Sequence, residues 1–201
     1  MQLVDRRQSP SPPLSADPEP QLAALVARHQ SGDPAALNSL MTALYPSIYR
    51  IVYRLAGPRD REQHEDLVQS SLEQVCRSIA GFEGRSRVST FVFGICHRVV
   101  ARSRRYDRVR SWFRRDAEDA TLPQGAPAPD DLIDRSRAVA SARAALDLLE
   151  GEERAAFVLH EVEELPLEDV AAVLRCSTRT VKRRLRVART KLIAKKPEPR
   201  S

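Results

Sequence analysis

Between Thr121 and Asp131 the chain carries Pro123, Gly125, Pro127 and Pro129. No regular element survives prolines at that density, because each one fixes φ, removes a backbone donor and clashes with the preceding helical turn. The segment therefore cuts the chain in two, and the linker is placed at 114–131. A chain of 201 residues with 42% apolar content has room for one medium domain or two small ones. The cut selects the second option and excludes a long barrel or a large enzyme.

Every pattern outside that segment has helical spacing. Residues 1–20, with Pro10, Pro12, Pro13, Pro18 and Pro20, read as a disordered tail. A short helix follows over 21–30. Asp33 then stands as the N-cap of a helix with Pro34 at its first position, where no donor is needed. That helix carries Leu37, Leu40, Met41, Leu44, Ile48, Ile51, Val52 and Leu55 as one stripe and stops at Gly57-Pro58. A third helix over 60–80 turns Val68, Leu72, Val75 and Ile79 to one side. A fourth, capped by Ser89 and running to about residue 110, buries Val92, Ile95 and Val99.

Beyond the linker, a helix over 132–149 uses Val139, Ala142, Leu146 and Leu149, and one over 152–163 uses Ala155, Val158, Leu159 and Val162. A short helix over 167–174, the turn Arg175-Cys176-Ser177 and a longer helix over 178–195 complete the chain. The last helix points Val181, Leu185, Ala188 and Leu192 inward. Ala171 sits where two crossing helices need a small side chain, and Val181 follows ten residues later. That is the spacing of a helix-turn-helix. The fold class is all-α: two small helical domains, 21–113 and 132–196, joined by a flexible linker, with the helix-turn-helix in the second and a tail over 197–201.

The net charge of +6 is segregated along the chain. Arg98–Arg115 holds eight arginines and one acid, and Arg175–Lys196 holds ten basic residues and no acid. Asp116–Asp134 holds six acids and no base. On the last helix Arg179, Lys182, Arg183 and Arg186 share one face. Like charges so placed repel until a polyanion relieves them by releasing counterions, so DNA is the expected partner. Arginine suits the task because its planar fork bonds guanine N7 and O6 together. Arg98, Arg102 and Arg105 form a second cationic ridge, with Phe82, Phe91 and Phe93 before it and Tyr106, Trp112 and Phe113 after. Aromatic rings interleaved with cations suit single-stranded bases, although Phe91 and Phe93 are expected in the core.

Other chemistry has little support. Cys76, Cys96 and Cys176 form no CxxC pair and are expected as buried thiols in a reducing cytoplasm. No metal or cofactor is expected. His29, His64, His97 and His160 lie on different helices, and His64 beside Glu65 and Asp66 reads as a surface histidine. No run of 18 apolar residues occurs, so no membrane insertion is expected.

The chain resembles the extracytoplasmic-function sigma factors over residues 21–196. The first half carries the resemblance in His64-Glu65-Asp66-Leu67-Val68-Gln69, in Phe82-Glu83-Gly84 and in Ser89-Thr90-Phe91-Val92-Phe93-Gly94-Ile95. The second half carries it in Leu165-Pro166-Leu167-Glu168-Asp169-Val170-Ala171 and in Thr180-Val181-Lys182-Arg183-Arg184-Leu185 with Ala188-Arg189. The resemblance implies a cytoplasmic, non-enzymatic protein that binds core RNA polymerase and directs promoter recognition, DNA melting and initiation. It implies polymerase contacts at Asp66, Leu67, Gln69 and Glu73. It places minus-ten reading at Arg85, Ser86, Arg87, Val88, Arg98, Arg102 and Arg105, and minus-thirty-five reading at Arg179, Thr180, Lys182, Arg183 and Arg186. An anti-sigma factor is a further implied partner, and the six carboxylates of Asp116–Asp134 suit either a place in the positively charged polymerase RNA path until transcript displaces them or a solvated spacer.

This chain has Phe91 where the family has tryptophan and Arg98 where it has asparagine. Arg175 replaces the turn glycine and either takes a left-handed backbone, at a cost of about 1 kcal/mol, or sits in a different turn. The rival readings are a stand-alone helix-turn-helix regulator that binds a palindrome unaided, and an arginine-rich RNA-binding or nucleoid protein.

Overall fold

The computed structural model describes residues 18–114 and 133–194. Most of the expected tail and linker, and the side chains of Trp112, Phe113 and Val139, lie outside the described residues. Among those described, every element is helical: α1 (Glu19–Gln30), α2 (Pro34–Ala56), α3 (Arg61–Ser78), α4 (Val88–Arg114), α5 (Ile133–Leu146), α6 (Gly151–Phe157), α7 (Leu167–Val173) and α8 (Thr178–Ala194). A 3₁₀ turn follows α3 at Ile79–Gly81, and a π turn follows α6 at Val158–Val162.

Helix α2 is the spine of the first half. The Asp33 carboxylate accepts from the Ala35 N–H at 2.9 Å, which starts the helix where the Asp-Pro pair requires. The expected stripe is the buried one, with Leu40, Leu44, Ile48, Ile51, Val52 and Leu55 in the core. Gly57 ends it with φ of 75°, a left-handed region that glycine enters without strain. Helices α1, α3 and α4 pack around this spine.

Two expectations at the helix starts are corrected. The chain becomes helical at Glu19 rather than at residue 21, with Pro20 in the first turn, where its missing N–H costs nothing. Helix α4 starts at Val88, so Ser89 lies inside its first turn and is not its cap. The Glu19 carboxylate caps it instead, accepting from the N–H groups of Val88 and Ser89. This is a tertiary cap supplied from 69 residues away. It satisfies donors that a helix cannot satisfy itself and places an anion at the positive end of the helix dipole.

In the second half, the π turn gives α6 one extra residue in its last turn, as the Glu163 N–H to Val158 C=O bond of 2.9 Å records. The regular period is lost there, so Val162, expected inside, is exposed. Ala142 is also exposed, while Leu149, Ala155, Val158 and Leu159 are buried as expected.

The α7–α8 turn settles the conformation of Arg175. Its φ is 50°, the Cys176 N–H bonds the Ala171 carbonyl at 3.0 Å, and the Arg175 N–H bonds the Ala172 carbonyl at 3.2 Å. This pair of bonds is a Schellman motif with arginine at the position glycine usually holds. The next helix is capped by Ser177, whose Oγ accepts from the Thr180 N–H at 3.2 Å. Val181, Leu185 and Ala188 are buried, and the short α7, with Ala171 also buried, packs against α8.

Candidate nucleic-acid interface

The period of 3.6 sorts α8 into two faces. Val181, Leu185 and Ala188 seat it on the core, and Arg179, Lys182, Arg183 and Arg186 are exposed on the other side. With Thr180 these four line a shallow depression of about 470 Å³. Other cations of α8 are engaged within the protein: Arg184 with Glu152 at 3.1 Å, Arg189 with Glu161 and Lys191 with Glu153 at 2.5 Å. No described acid pairs with Arg179, Lys182, Arg183 or Arg186. These four predicted residues are brought together by the structure as one uncompensated cationic surface. Thr180 joins them at the rim, with its hydroxyl 3.0 Å from that of Ser177.

The first half presents a second, less uniform surface. Arg98, Arg102 and Arg105 are exposed along α4 as the ridge predicts. Arg98 has its pKa lowered, first by partial desolvation and then by the nearby Arg175 cation. Between ridge members lies Arg104, which sequence reasoning did not single out. It donates to the Leu55 carbonyl, near the end of α2. Burial, with Arg154 and Arg59 as neighbouring cations, lowers its pKa to about 10. Its partner is a carbonyl from another helix, and no spacing rule along α4 could have revealed it.

Of the predicted loop residues, Arg85, Ser86 and Arg87 are exposed, Arg85 beside Glu83 and Arg87 3.7 Å from Glu19. Val88 is only 1% exposed and belongs to the core. Phe93 is buried, and Phe91 packs against the core with its ring 5.1 Å from that of Phe82. Both keep the core role expected for them.

On α3, Asp66, Gln69 and Glu73 recur at i, i+3 and i+7 and are all exposed. Gln69 Nε2 donates to Glu73 Oε1 at 3.1 Å. Leu67 is turned the other way and buried at 6% exposure, so it seats the helix that presents the three polar groups.

His64 is a correction. It is 1% exposed, stacked on Tyr53 at 4.0 Å between ring centroids, with Nδ1 2.9 Å from the Asp60 carbonyl. Its pKa is lowered, first by burial. The helical phase of α3 contained the signal, since His64 stands four residues before Val68 and three before Leu67 on the buried face. Cys96 is buried as expected, and burial pushes its thiol up to about 12. Cys76 and Cys176 are half-buried.

A helix-turn-helix with a clean cationic face, beside a second helical module bearing its own basic ridge and an acidic-polar helix face, defines a two-module DNA-binding protein. Comparison with known proteins narrows the class. "Sigma-70 region 2" matches residues 40–111 and "Sigma-70, region 4" matches residues 140–192. ECF RNA polymerase sigma factor SigE of Mycolicibacterium smegmatis is 33% identical over 81% of this chain and 63% of its own length, so the chain spans under two thirds of that relative. ECF RNA polymerase sigma factor EcfG of Rhodopseudomonas palustris is 30% identical over 79% of this chain and 84% of its own. Among solved structures, the sigma factor RpoE in complex with the anti-sigma factor NepR from Bartonella quintana shares the fold. Its TM-score is 0.60 at 24% identity, covering 78% of this chain and 94% of that one. The chain belongs to the extracytoplasmic-function family of RNA polymerase sigma factors.

Proposed function

We propose that this chain binds core RNA polymerase in the cytoplasm and carries it to promoters, acting by recognition and DNA opening with no chemical step of its own. In this reading α8 enters the major groove at the minus-thirty-five element. Arg179, Lys182, Arg183 and Arg186 contact base edges and phosphates, and Thr180 lies at the edge. The loop residues Arg85, Ser86 and Arg87 and the ridge Arg98, Arg102 and Arg105 act at the minus-ten element. Val88 and Leu67 hold those surfaces in place from the core. Asp66, Gln69 and Glu73 meet the polymerase.

The observation that carries the reading is the unpaired cation row of α8, set opposite a fully packed face while the other α8 cations are neutralised internally. A relative crystallised with an anti-sigma factor supports an anti-sigma partner here as well. Among the described residues no helix is long and apolar enough to cross a membrane.

The test is reconstitution with core polymerase on a randomised promoter library. Specific initiation with two separated sequence preferences is expected. Unaided binding to a palindrome, with no effect of polymerase, would instead identify a stand-alone regulator. Arg183→Ala should cost about 1–3 kcal/mol of promoter affinity and relax preference at one upstream position.

A further inference from the structure

Helix α1 is bonded to both ends of the loop that carries Arg85, Ser86 and Arg87. Leu22 and Val26 seat the helix on the core, and it packs on α4 and on the 3₁₀ turn after α3. At its C-terminal end Gln30 Nε2 donates to the Ala80 carbonyl at 3.1 Å and to the Phe82 carbonyl at 2.7 Å. At its N-terminal end the Glu19 carboxylate accepts from the Val88 N–H and, at 3.2 Å, from the Ser89 N–H. The same carboxylate lies 3.7 Å from Arg87 Nε. One helix therefore fixes where the loop leaves the 3₁₀ turn and where it enters α4.

The lengths involved shape what lies between. Glu19 and Gln30 stand at the two ends of α1, about 16 Å apart at the rise of an α-helix. The segment from Ala80 to Ser89 would reach about 30 Å if extended. Holding its ends to one short helix leaves slack that has to bulge outward. Gly84, with φ of 71°, takes the bend. A Cβ there would meet nothing within 4 Å, so the left-handed backbone and not crowding calls for glycine. Glu83 and Arg85 pair across it. The base of the bulge is packed, with the Phe82 ring on that of Phe91 and Val88 in the core.

Glu19 acts on this loop in two ways. As an acceptor it satisfies the first donors of α4, which sets the residue at which loop becomes helix. As an anion it draws Arg87 toward α1 through Nε and turns the guanidinium plane in one direction. The Glu19 side chain is 14% exposed, so water screens the pair weakly, while the Arg87 side chain is 49% exposed and open to a phosphate or a base edge.

We propose that Glu19 and Gln30 are positioning residues for minus-ten recognition. They hold the loop over 82–88 in its binding shape before DNA arrives, so that the entropy of ordering it is not lost at the moment of binding. Both act through the loop and not on the DNA. This deepens the promoter-reading function proposed above and rests on it.

The test uses the full chain with core polymerase on promoters recovered from the randomised library, each compared with a version scrambled at one element. The affinity ratio of intact to scrambled minus-ten sequence reads the loop, and the same ratio at the minus-thirty-five element is the internal control. Both are measured where circular dichroism shows each variant folded. Glu19→Ala should lower the minus-ten ratio about tenfold, the scale of ordering one backbone residue, and Gln30→Ala about threefold. The minus-thirty-five ratio should stay at the parent value. Glu19→Gln keeps an oxygen acceptor at the same reach and should recover part of the loss. Amide exchange at Val88 and Ser89 should quicken in Glu19→Ala. An unchanged minus-ten ratio in folded Glu19→Ala overturns the proposal. So does an equal fall of both ratios, which marks a cap that serves stability alone, and so does a Glu19→Gln variant as poor as Glu19→Ala. If the parent chain itself shows no minus-ten preference, the function assigned above is wrong, while the exchange rates at Val88 and Ser89 still report whether Glu19 orders the end of the loop.

Discussion

Helices α4 and α8 are both rich in arginine, and they use it differently. On α8 the apolar residues keep a strict helical period, so the cations divide into an outward row with no acidic partner and a set paired to α6 and the π turn. On α4 the cations are spread over more of the circumference. Arg104 turns inward to the end of α2, and Arg98 and Arg105 flank the seam with the second module. Charge density along a sequence therefore identifies a candidate nucleic-acid surface, but the depth and phase of the apolar stripe decide which of its cations are available to bind.

That contrast is sharpest in the substitution with the largest expected effect. Leu185 is buried on the apolar face of α8, and Leu185→Ala should cost about 2–5 kcal/mol of stability by leaving a cavity. Arg186→Ala, one residue on and exposed, should change stability by no more than about 0.5 kcal/mol. Thermal melts of the two variants check the division into faces, and equal melting temperatures would refute it.

The same comparison on α4 is expected to be smaller. Arg104→Ala leaves the Leu55 carbonyl without a partner in a largely buried site, at about 1–3 kcal/mol. Arg102→Ala, exposed on the ridge, should leave folding unchanged and weaken binding to melted promoter DNA. Chemical denaturation separates the two. If Arg102→Ala proves the more destabilising, the ridge is structural and the minus-ten assignment to it fails.

The cap supplied by Glu19 explains part of what the sequence conceals. Glu19→Ala removes the acceptor for two N–H groups at the start of α4 and should cost about 0.5–2 kcal/mol, read as a lowered melting temperature with helicity retained. Local patterning identified eight helices, the Asp33 cap, the stripe of α2 and the cation row of α8, because each depends on residues within one or two turns. It assigned the α4 cap to Ser89 because a hydroxyl stood nearby, whereas a carboxylate from a distant helix makes the bonds. It missed Arg154, whose partners include the Leu149 carbonyl in the turn before α6 and the Arg54 carbonyl of distant α2. It placed Val162 inside because a π turn resets the phase without changing the residue types. The errors share one cause: the decisive neighbour comes from another part of the chain, or the helix departs from 3.6 residues per turn.

The smallest effect expected concerns His64, which also divides its helix into two faces. Its imidazole is held neutral by burial against Tyr53, and its folded pKa lies below the unfolded value near 6.5. As pH falls through 6.5 the unfolded chain takes up a proton that the folded chain does not, so stability is highest above that pH and declines as the solution is acidified. The decline has a limit of about 1.4 kcal/mol per pH unit and ceases below the folded pKa. His64→Phe keeps a ring against Tyr53 and removes the proton site, so its stability should be flatter between pH 7 and 5 than that of the parent chain. Parallel curves would mean that His64 titrates equally in both states and is accessible to water. The buried face of α3 would then end short of the segment that carries Asp66.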